Sequence, residues 1–447
     1  MMPELLLSYY GDDLTGSTDV MEALASRGIA TVLFMQPPTE AQRRRFAEVR
    51  AVGLAGASRS ESPAWMDEHL AKAFAWLKEL GAAICHYKVC STFDSSPEIG
   101  SIGRAIDIGQ RIFGQARIPL LVGAPQLRRY TAFGNLFAAY QGRTYRIDRH
   151  PVMSRHPVTP MDEADLRIHL AKQTAKTIGL VDLAMLCEPD VDRRVDQAFS
   201  DDSEIVLFDV GDSETQKSAG RQIWRTRNPS GSFVVGSSGV EYALLAEWAR
   251  EGTIVGEANF AAPGRVERIA VVSGSCSPTT ERQIRHAMAN GFDGLELDPR
   301  ELASAEPAPI ANAIERGLNS LKAGRSVILY TALGPSSDIG GEFDQHAGAR
   351  HAIGRALGQI ERALIEQSSL SRAIVAGGDT SSHALRELGV YALTTRLPLP
   401  ETPGSPLCLA HSEDRAIDGL ELAFKGGQVG GDDYFSVIRD GGTRPIE

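Results

Sequence analysis

The residues best suited to chemistry come early, in Gly11-Asp12-Asp13-Leu14-Thr15-Gly16-Ser17-Thr18-Asp19. Two adjacent carboxylates in a turn ahead of a helix can accept hydrogen bonds from substrate hydroxyls, act as a base or hold a divalent cation. Helix capping by Ser17, Thr18 or Asp19 accounts for Asp19 but gives Asp12 and Asp13 no structural task. Arg59 and Lys88 each follow an apolar run, and Cys90, Ser91 and Thr92 lie just beyond Lys88. A carboxylate or phosphate needs such a cation, because desolvating an anion without one is costly. Taken singly, each reads more readily as a solvated surface charge; together with Ser91 and Thr92 at one strand edge, the binding and surface readings weigh equally.

A second set lies in the other half. Ser273-Gly274-Ser275-Cys276-Ser277-Pro278, Gly377-Gly378-Asp379-Thr380-Ser381-Ser382 and Lys425-Gly426-Gly427-Gln428-Val429-Gly430-Gly431 each follow a strand-like run. Ser277 suits an N-cap and Pro278 the first helical position. Small residues beside them leave backbone N–H groups open to an anion. One glycine loop is weak evidence, but three at strand ends point to a phosphate cradle.

The elements that must position these residues are alternating β-branched runs and helix-period stretches, the pattern of α/β layers on a mainly parallel sheet. Residues 5–10 predict a strand, about 19–27 a helix closed by Gly28, and 29–35 the next strand. Further strands are expected at 51–57, 82–89 and 118–122, with helices at about 63–80 and 98–113. Asp12, Asp13, Arg59, Lys88, Ser91 and Thr92 then follow strand C-termini, the edge of an open parallel sheet where ligands bind. Residues 251–266 lack either period and read as a linker, and strands are expected again at 268–273, 326–331, 372–376 and 420–425. The fold class expected is α/β, with two three-layer αβα domains of mainly parallel sheet, at 1–250 and 267–447.

Composition narrows the function. The 447 residues carry 46 Lys and Arg against 57 Asp and Glu, a net charge of −11, which argues against a nucleic-acid groove. No apolar run is long enough to span a bilayer and the start lacks a basic leader, so no membrane partner is expected. Five scattered cysteines without a C-x-x-C fit reduced thiols in a cytoplasmic enzyme. The P-loop, the dinucleotide G-x-G-x-x-G after the first strand, the G-x-S-x-G elbow and H-E-x-x-H are all missing. Neither His346 with His351 nor His150 with His156 has the spacing of a zinc pair on one helical face.

In this order, the DDLTGSTD turn, the K-x-x-ST segment at 88–92, SGSCSPTT, GGDTSS and KGGQVGGDDYF resemble the four-carbon acid sugar kinase family. The resemblance runs over about residues 4–437. It implies a sugar-acid-binding N-terminal domain, a nucleotide-binding C-terminal domain and ATP-dependent phosphorylation of a hydroxyl on a small sugar acid. It further implies that Asp12, Arg59 and the Lys88, Cys90, Ser91 and Thr92 segment contact the acid; phosphoryl transfer then needs a group to take the hydroxyl proton, and Asp12 or Asp13 is expected to be that base. By the same resemblance Ser273, Ser275, Gly377, Gly378, Asp379, Thr380, Gly426 and Gly427 would hold ATP; since phosphoryl transfer usually uses Mg²⁺, Asp379 is the residue expected to help place it. Where the family segment reads K-x-D-S-T-x-R-G, this chain has Cys90 for an acid and Asp94-Ser95 for Arg-Gly. A cation is lost and a carboxylate gained, which departs from D-threonate and D-erythronate kinases and is similar to a branch that phosphorylates 3-oxo-isoapionate. Two domains on one linker suggest hinge closure around both substrates. The partners expected are a sugar acid and ATP, with no nucleic acid, no membrane and a homodimer as the assembly to test. The rival readings are a sugar-acid isomerase or oxidoreductase, and a non-catalytic sensor.

Overall fold

Leu7–Gly11 forms the first strand, β1, and all five of its residues are buried. This is what a short apolar run covered on both faces requires. In the computed structural model, residues 4–200, 202–254, 256–304, 306–343 and 348–442 are described. The chain divides into two units, Met1–Ala258 and Asn259–Glu447.

In the first unit β1 is followed by β2 (Thr31–Phe34), β3 (Ala51–Ala55), β4 (Ile84–Lys88) and β5 (Ile118–Leu121). Then come β6 (Arg129–Ala132), β7 (Asn135–Tyr140), β8 (Arg143–Arg146), β9 (Ile178–Val181), β10 (Ile205–Phe208) and β11 (Ser232–Gly236). The main sheet runs β2-β3-β1-β4-β11-β5-β10-β9, and every pair in it is parallel. β6, β7 and β8 make a separate antiparallel sheet that the sequence reading did not anticipate. Register decides which ends meet: Gly11 lies opposite Ala55 and Lys88, and Lys88 opposite Gly236. The chain passes to one side of β1 for β2 and β3 and then to the other for β4, so the strand order reverses beside β1, where a crevice opens.

The helix after β1 runs over Leu14–Ser26, starting earlier than expected at about residue 19. Asp13 is its N-cap and accepts from the Gly16 N–H at 2.5 Å. Capping therefore falls to Asp13 and not to Ser17, Thr18 or Asp19, so one of the two carboxylates does have a structural task. The helix before β5 starts at Ile102, later than expected, behind the cap Ser101.

The second unit contains β12 (Ala270–Ser273), β13 (Phe292–Glu296), β14 (Ser326–Tyr330), β15 (Arg372–Ala376), β16 (Val390–Leu397), β17 (Leu407–Ser412) and β18 (Glu421–Lys425). Its order is β13-β14-β12-β15-β18-β17-β16, parallel as far as β18, with β17 antiparallel to both neighbours. The adjacent central strands β12, β15 and β18 are the ones whose ends carry the three glycine-rich loops. Each sheet is flanked by helices, so both units are three-layer α/β domains with mainly parallel sheets. Among the described residues, no helix is long and apolar enough to cross a membrane, and none of the five cysteines is in a disulfide.

Candidate active site

At the edge of the first sheet the loops after β1, β3 and β4 are tied together by their backbones. The Asp12 N–H donates to the Lys88 carbonyl at 2.9 Å and the Arg59 N–H to the Asp12 carbonyl at 3.1 Å. Asp12, Arg59 and Lys88 are thus brought together as expected. Arg59, however, is not an open cation: Nη1 donates to Asp13 Oδ2 at 2.9 Å, and Nη2 to Asp94 Oδ1 and Oδ2 at 3.0 and 2.9 Å. Asp94 also accepts from the hydroxyls of Thr92 at 2.5 Å and Thr159 at 3.2 Å. Thr92 Oγ1 lies 3.0 Å from the Cys90 sulfur. Lys88 Nζ is 3.9 Å from Asp19 Oδ2. A β-carbon added to Gly16 would sit 3.0 Å from Lys88 Nζ and 3.6 Å from Asp12 Oδ1, so this glycine leaves the space in which those two groups approach.

Charge is distributed unevenly here. Asp12 is 5% exposed, and its Oδ1 has no hydrogen-bond partner. Burial first, and then Asp13, push its carboxyl up to about 7 against the pull of Arg59 and Lys88. Burial would likewise raise Asp94, but Arg59 and the Thr92 hydroxyl outweigh it and hold the carboxyl below the usual range. Burial opposes the Lys88 ammonium, yet Asp19 and Asp12 keep its pKa above the ordinary lysine value.

In the second unit the three loops converge. The Gly274 N–H donates to the Ala376 carbonyl at 3.0 Å and the Gly377 N–H to the Lys425 carbonyl at 2.8 Å. Ser277 caps the helix Pro278–Ala289, and its hydroxyl and that of Thr280 donate to the Gly427 carbonyl. Ser275 Oγ accepts from the Ser277 N–H at 3.3 Å and meets Thr280 Oγ1 at 3.0 Å, whereas Ser273 is buried under the loop. Gly377, at φ 118°, holds a backbone that side-chain-bearing residues rarely adopt. Its N–H is already used, so it shapes the loop without offering a donor. The helix Gly378–Glu387 that follows has no side-chain cap, which leaves its first N–H groups for a ligand. Beside these loops lies a cavity of about 240 Å³ lined by Gly274, Cys276, Thr331, Asp338, Arg350 and Thr380 among others.

Lys425, the last residue of β18, opens the third glycine-rich segment, but the sequence reading gave it no role. It is 1% exposed, and Nζ donates only to neutral oxygens: Thr280 Oγ1 at 3.0 Å and the carbonyls of Gly426 and Gly427 at 2.7 and 3.4 Å. Burial pulls its pKa down to about 7. A buried ammonium among the glycine loops, with no carboxylate paired to it among the described residues, is suited to a polyphosphate. The Asp379 side chain lies outside the described residues. Among those residues, no group of three or more His, Cys, Asp or Glu could hold a metal ion by itself.

Comparison with known proteins agrees with this division. A family described as a sugar-binding N-terminal domain matches residues 7–244, and one described as a nucleotide-binding C-terminal domain matches 270–435. The chain belongs to the four-carbon acid sugar kinase family. It is an ATP-dependent phosphotransferase of the sugar-acid kinase class. A Paraburkholderia graminis relative named 3-oxo-isoapionate kinase is 49% identical over 98% of this chain and 94% of its own. A Pectobacterium atrosepticum 3-oxo-tetronate kinase is 28% identical over 96% of this chain and 97% of its own. The fold matches crystal structures of proteins from Haemophilus influenzae (TM-score 0.73, 24% identity, 98% of this chain and 100% of that one) and Salmonella typhimurium LT2 (0.78, 23%, 97% and 98%).

Proposed function

We infer that this kinase transfers the γ-phosphoryl group of ATP to a hydroxyl of 3-oxo-isoapionate. The observation that carries the choice of acid is the 49% identity, along nearly the whole length, with the relative of that name, against 28% and 29% for 3-oxo-tetronate kinases. The carboxylate of Asp94, where the family pattern has an arginine, supports a substrate other than the usual linear acids.

Asp12 is the better candidate for the base. Its Oδ1 is unpartnered, and a carboxyl at about 7 is poised to take a proton at neutral pH. Asp13 is occupied by the helix cap and by Arg59, which suits a positioning role. Lys88 would balance the charge left on Asp12 and the substrate oxygens, and Cys90, Ser91 and Thr92 would line the acid. As the hydroxyl oxygen bonds to phosphorus and the bond to ADP breaks, the hydroxyl proton passes to Asp12. Ser273 and Ser275 support the first glycine-rich loop. Gly377, Gly378 and Thr380 with Gly426 and Gly427 would surround the triphosphate, and Lys425 supplies a point charge to it. Mg²⁺ typically binds through substrate phosphates with one or two carboxylates, so the lack of an all-protein cluster among the described residues suits a metal that arrives with the nucleotide. When bound, it neutralises charge on the transferring group.

The test is ADP release with Mg²⁺ across 3-oxo-isoapionate, 3-oxo-tetronate, D-threonate and D-erythronate. The expected result is the highest kcat/KM for the branched acid. Faster turnover of any linear acid rejects the assignment. The assembly is proposed to be a homodimer, which the molar mass of the purified chain by light scattering would check.

A further inference from the structure

The acid site raises a question of charge. Its two expected cations are already compensated: Arg59 by Asp13 and Asp94, Lys88 by Asp19, with Asp12 close by. An incoming carboxylate would therefore meet more acid than base, and repulsion of that kind has to be offset by another cation.

One stands at the same sheet edge. The C-terminal ends of β4, β11 and β5 are laced together, the Val89 N–H donating to the Gly236 carbonyl at 2.7 Å and the Ser237 N–H to the Leu121 carbonyl at 3.1 Å. The chain leaving β5 turns back at once, and the bridge between Ala124 and Arg129 fixes Arg129 at this edge. Just before it, Arg128 sits in the left-handed region at φ 55°, a conformation that costs a residue with a β-carbon and is held where the surroundings demand it. Arg129 Nη1 donates to the carbonyls of Leu127 at 2.6 Å and Arg128 at 3.5 Å. Its Nε is buried without a partner. Among the described residues no carboxylate pairs with it. The groups that favour its charge are Cys90 and Tyr130, working against the burial that lowers its pKa. Cys90 acts in the same sense on Arg59 and on Lys88, so the thiol lies within electrostatic reach of all three cations. Pinning the turn explains the Nη1 contacts but not a buried, unpartnered Nε in a guanidinium with no counter-ion.

We propose that Arg129 receives the carboxylate of the sugar acid, beside Cys90, while Arg59 stays locked between Asp13 and Asp94 as a positioning residue. The planar fork of a guanidinium matches a carboxylate, and the two N–H groups it would offer are ones the protein does not otherwise use. This assignment rests on the sugar-acid kinase reading and adds to it the residue that selects an acid over a neutral sugar.

Steady-state ADP release decides it, with 3-oxo-isoapionate and with its neutral primary amide, on the wild type, Arg129→Gln and Arg129→Lys. Arg129→Gln is expected to raise KM for the acid about 10- to 100-fold, the range of a charged hydrogen bond, while KM for ATP and the melting midpoint stay unchanged. The preference of the wild type for acid over amide should largely vanish in Arg129→Gln and partly return in Arg129→Lys. An acid KM within about twofold of wild type in a folded Arg129→Gln overturns the assignment. If Arg129→Gln does not fold, an unchanged acid KM in Arg129→Lys, which keeps the charge but loses the fork, overturns it equally. A wild type that releases no ADP with any acid sinks the kinase reading and this assignment together. An active wild type with an indifferent Arg129→Gln sinks the assignment alone.

Discussion

The two units solve the problem of holding an anion in opposite ways. The edge of the first sheet is crowded with formal charge, and nearly every cation there already has a carboxylate: Arg59 has two, and Lys88 has Asp19. The loops of the second unit rely on uncapped backbone and a single buried lysine whose partners are all neutral. The triphosphate is the constant substrate of a kinase, and in the proposed site backbone geometry and one lysine would recognise it. The acid is the variable substrate, and side chains such as Asp94 can be exchanged without disturbing the sheet. The contrast is between a site tuned by compensation and one tuned by vacancy of counter-charge.

The largest effect that would break this contrast concerns Asp12. Asp12→Asn should lower kcat by at least about 100-fold, the usual scale of a general base, with ADP release as the measurement. Near-normal turnover would leave the buried carboxylate without a catalytic role. In the wild type the acid limb of the kcat/KM profile, which reports the free enzyme, should fall at about pH 7, where the Asp12 carboxyl loses its proton. Stability gives a second readout of the opposite sign. The folded-state pKa is raised, so the contribution of Asp12 is fully present below the ordinary carboxylate pKa of 3.8 and is lost as pH rises through about 7. The asparagine variant escapes that loss, and its melting midpoint should gain on wild type between those pH values and hold the gain above them.

A smaller effect sharpens the other side. Lys425→Met keeps the length and apolar stem of the side chain, and should weaken ATP binding about 10- to 100-fold without lowering the melting midpoint. With its pKa pulled down to about 7, Lys425 is mostly neutral at pH 8, and a bound polyphosphate would recharge it. Calorimetry of ATP binding at pH 8 in two buffers of different ionisation enthalpy should therefore show proton uptake in the wild type and less in Lys425→Met. Equal uptake in both would mean that the lysine does not sense the phosphates.

Much of this arrangement was legible in the sequence. Apolar runs that stop abruptly at Asp12, near Arg59, and at Lys88 announce strand ends, and a parallel sheet lines such ends up. What could not be read is which charge answers which. Arg59 finds its partners 46 and 35 residues away, through loops whose course only the packed sheet decides. Lys425 looks like any lysine at a strand end until β12 and β15 close around it, and Arg129 depends on a turn with a strained Arg128. The early start of the first helix was hidden by Gly16, a poor helix residue inside the first turn. Its place there follows from tertiary contact, since a β-carbon would come within 2.8 Å of Asp13 Oδ1 as well as against Lys88. The three-stranded sheet was missed because its strands are half-exposed and rich in Arg, Tyr and Gly turns.

The smallest expected effect separates the two neighbouring carboxylates. Asp13 caps the helix Leu14–Ser26 and holds Arg59, so its loss is first a structural event. Asp13→Ala should cost about 1 kcal/mol, the usual value of a lost cap, and lower the melting midpoint by about 2–4 °C. Asp13→Asn keeps a capping oxygen and should recover most of that midpoint while the pairing with Arg59 weakens. If Asp13→Asn nevertheless loses as much kcat as Asp12→Asn, the division between a base and its positioning neighbour fails, because a cap that is still made cannot account for a lost proton acceptor. If it loses far less, the two adjacent acids differ in role for a physical reason: one is buried without a partner, and the other is already bonded on both sides.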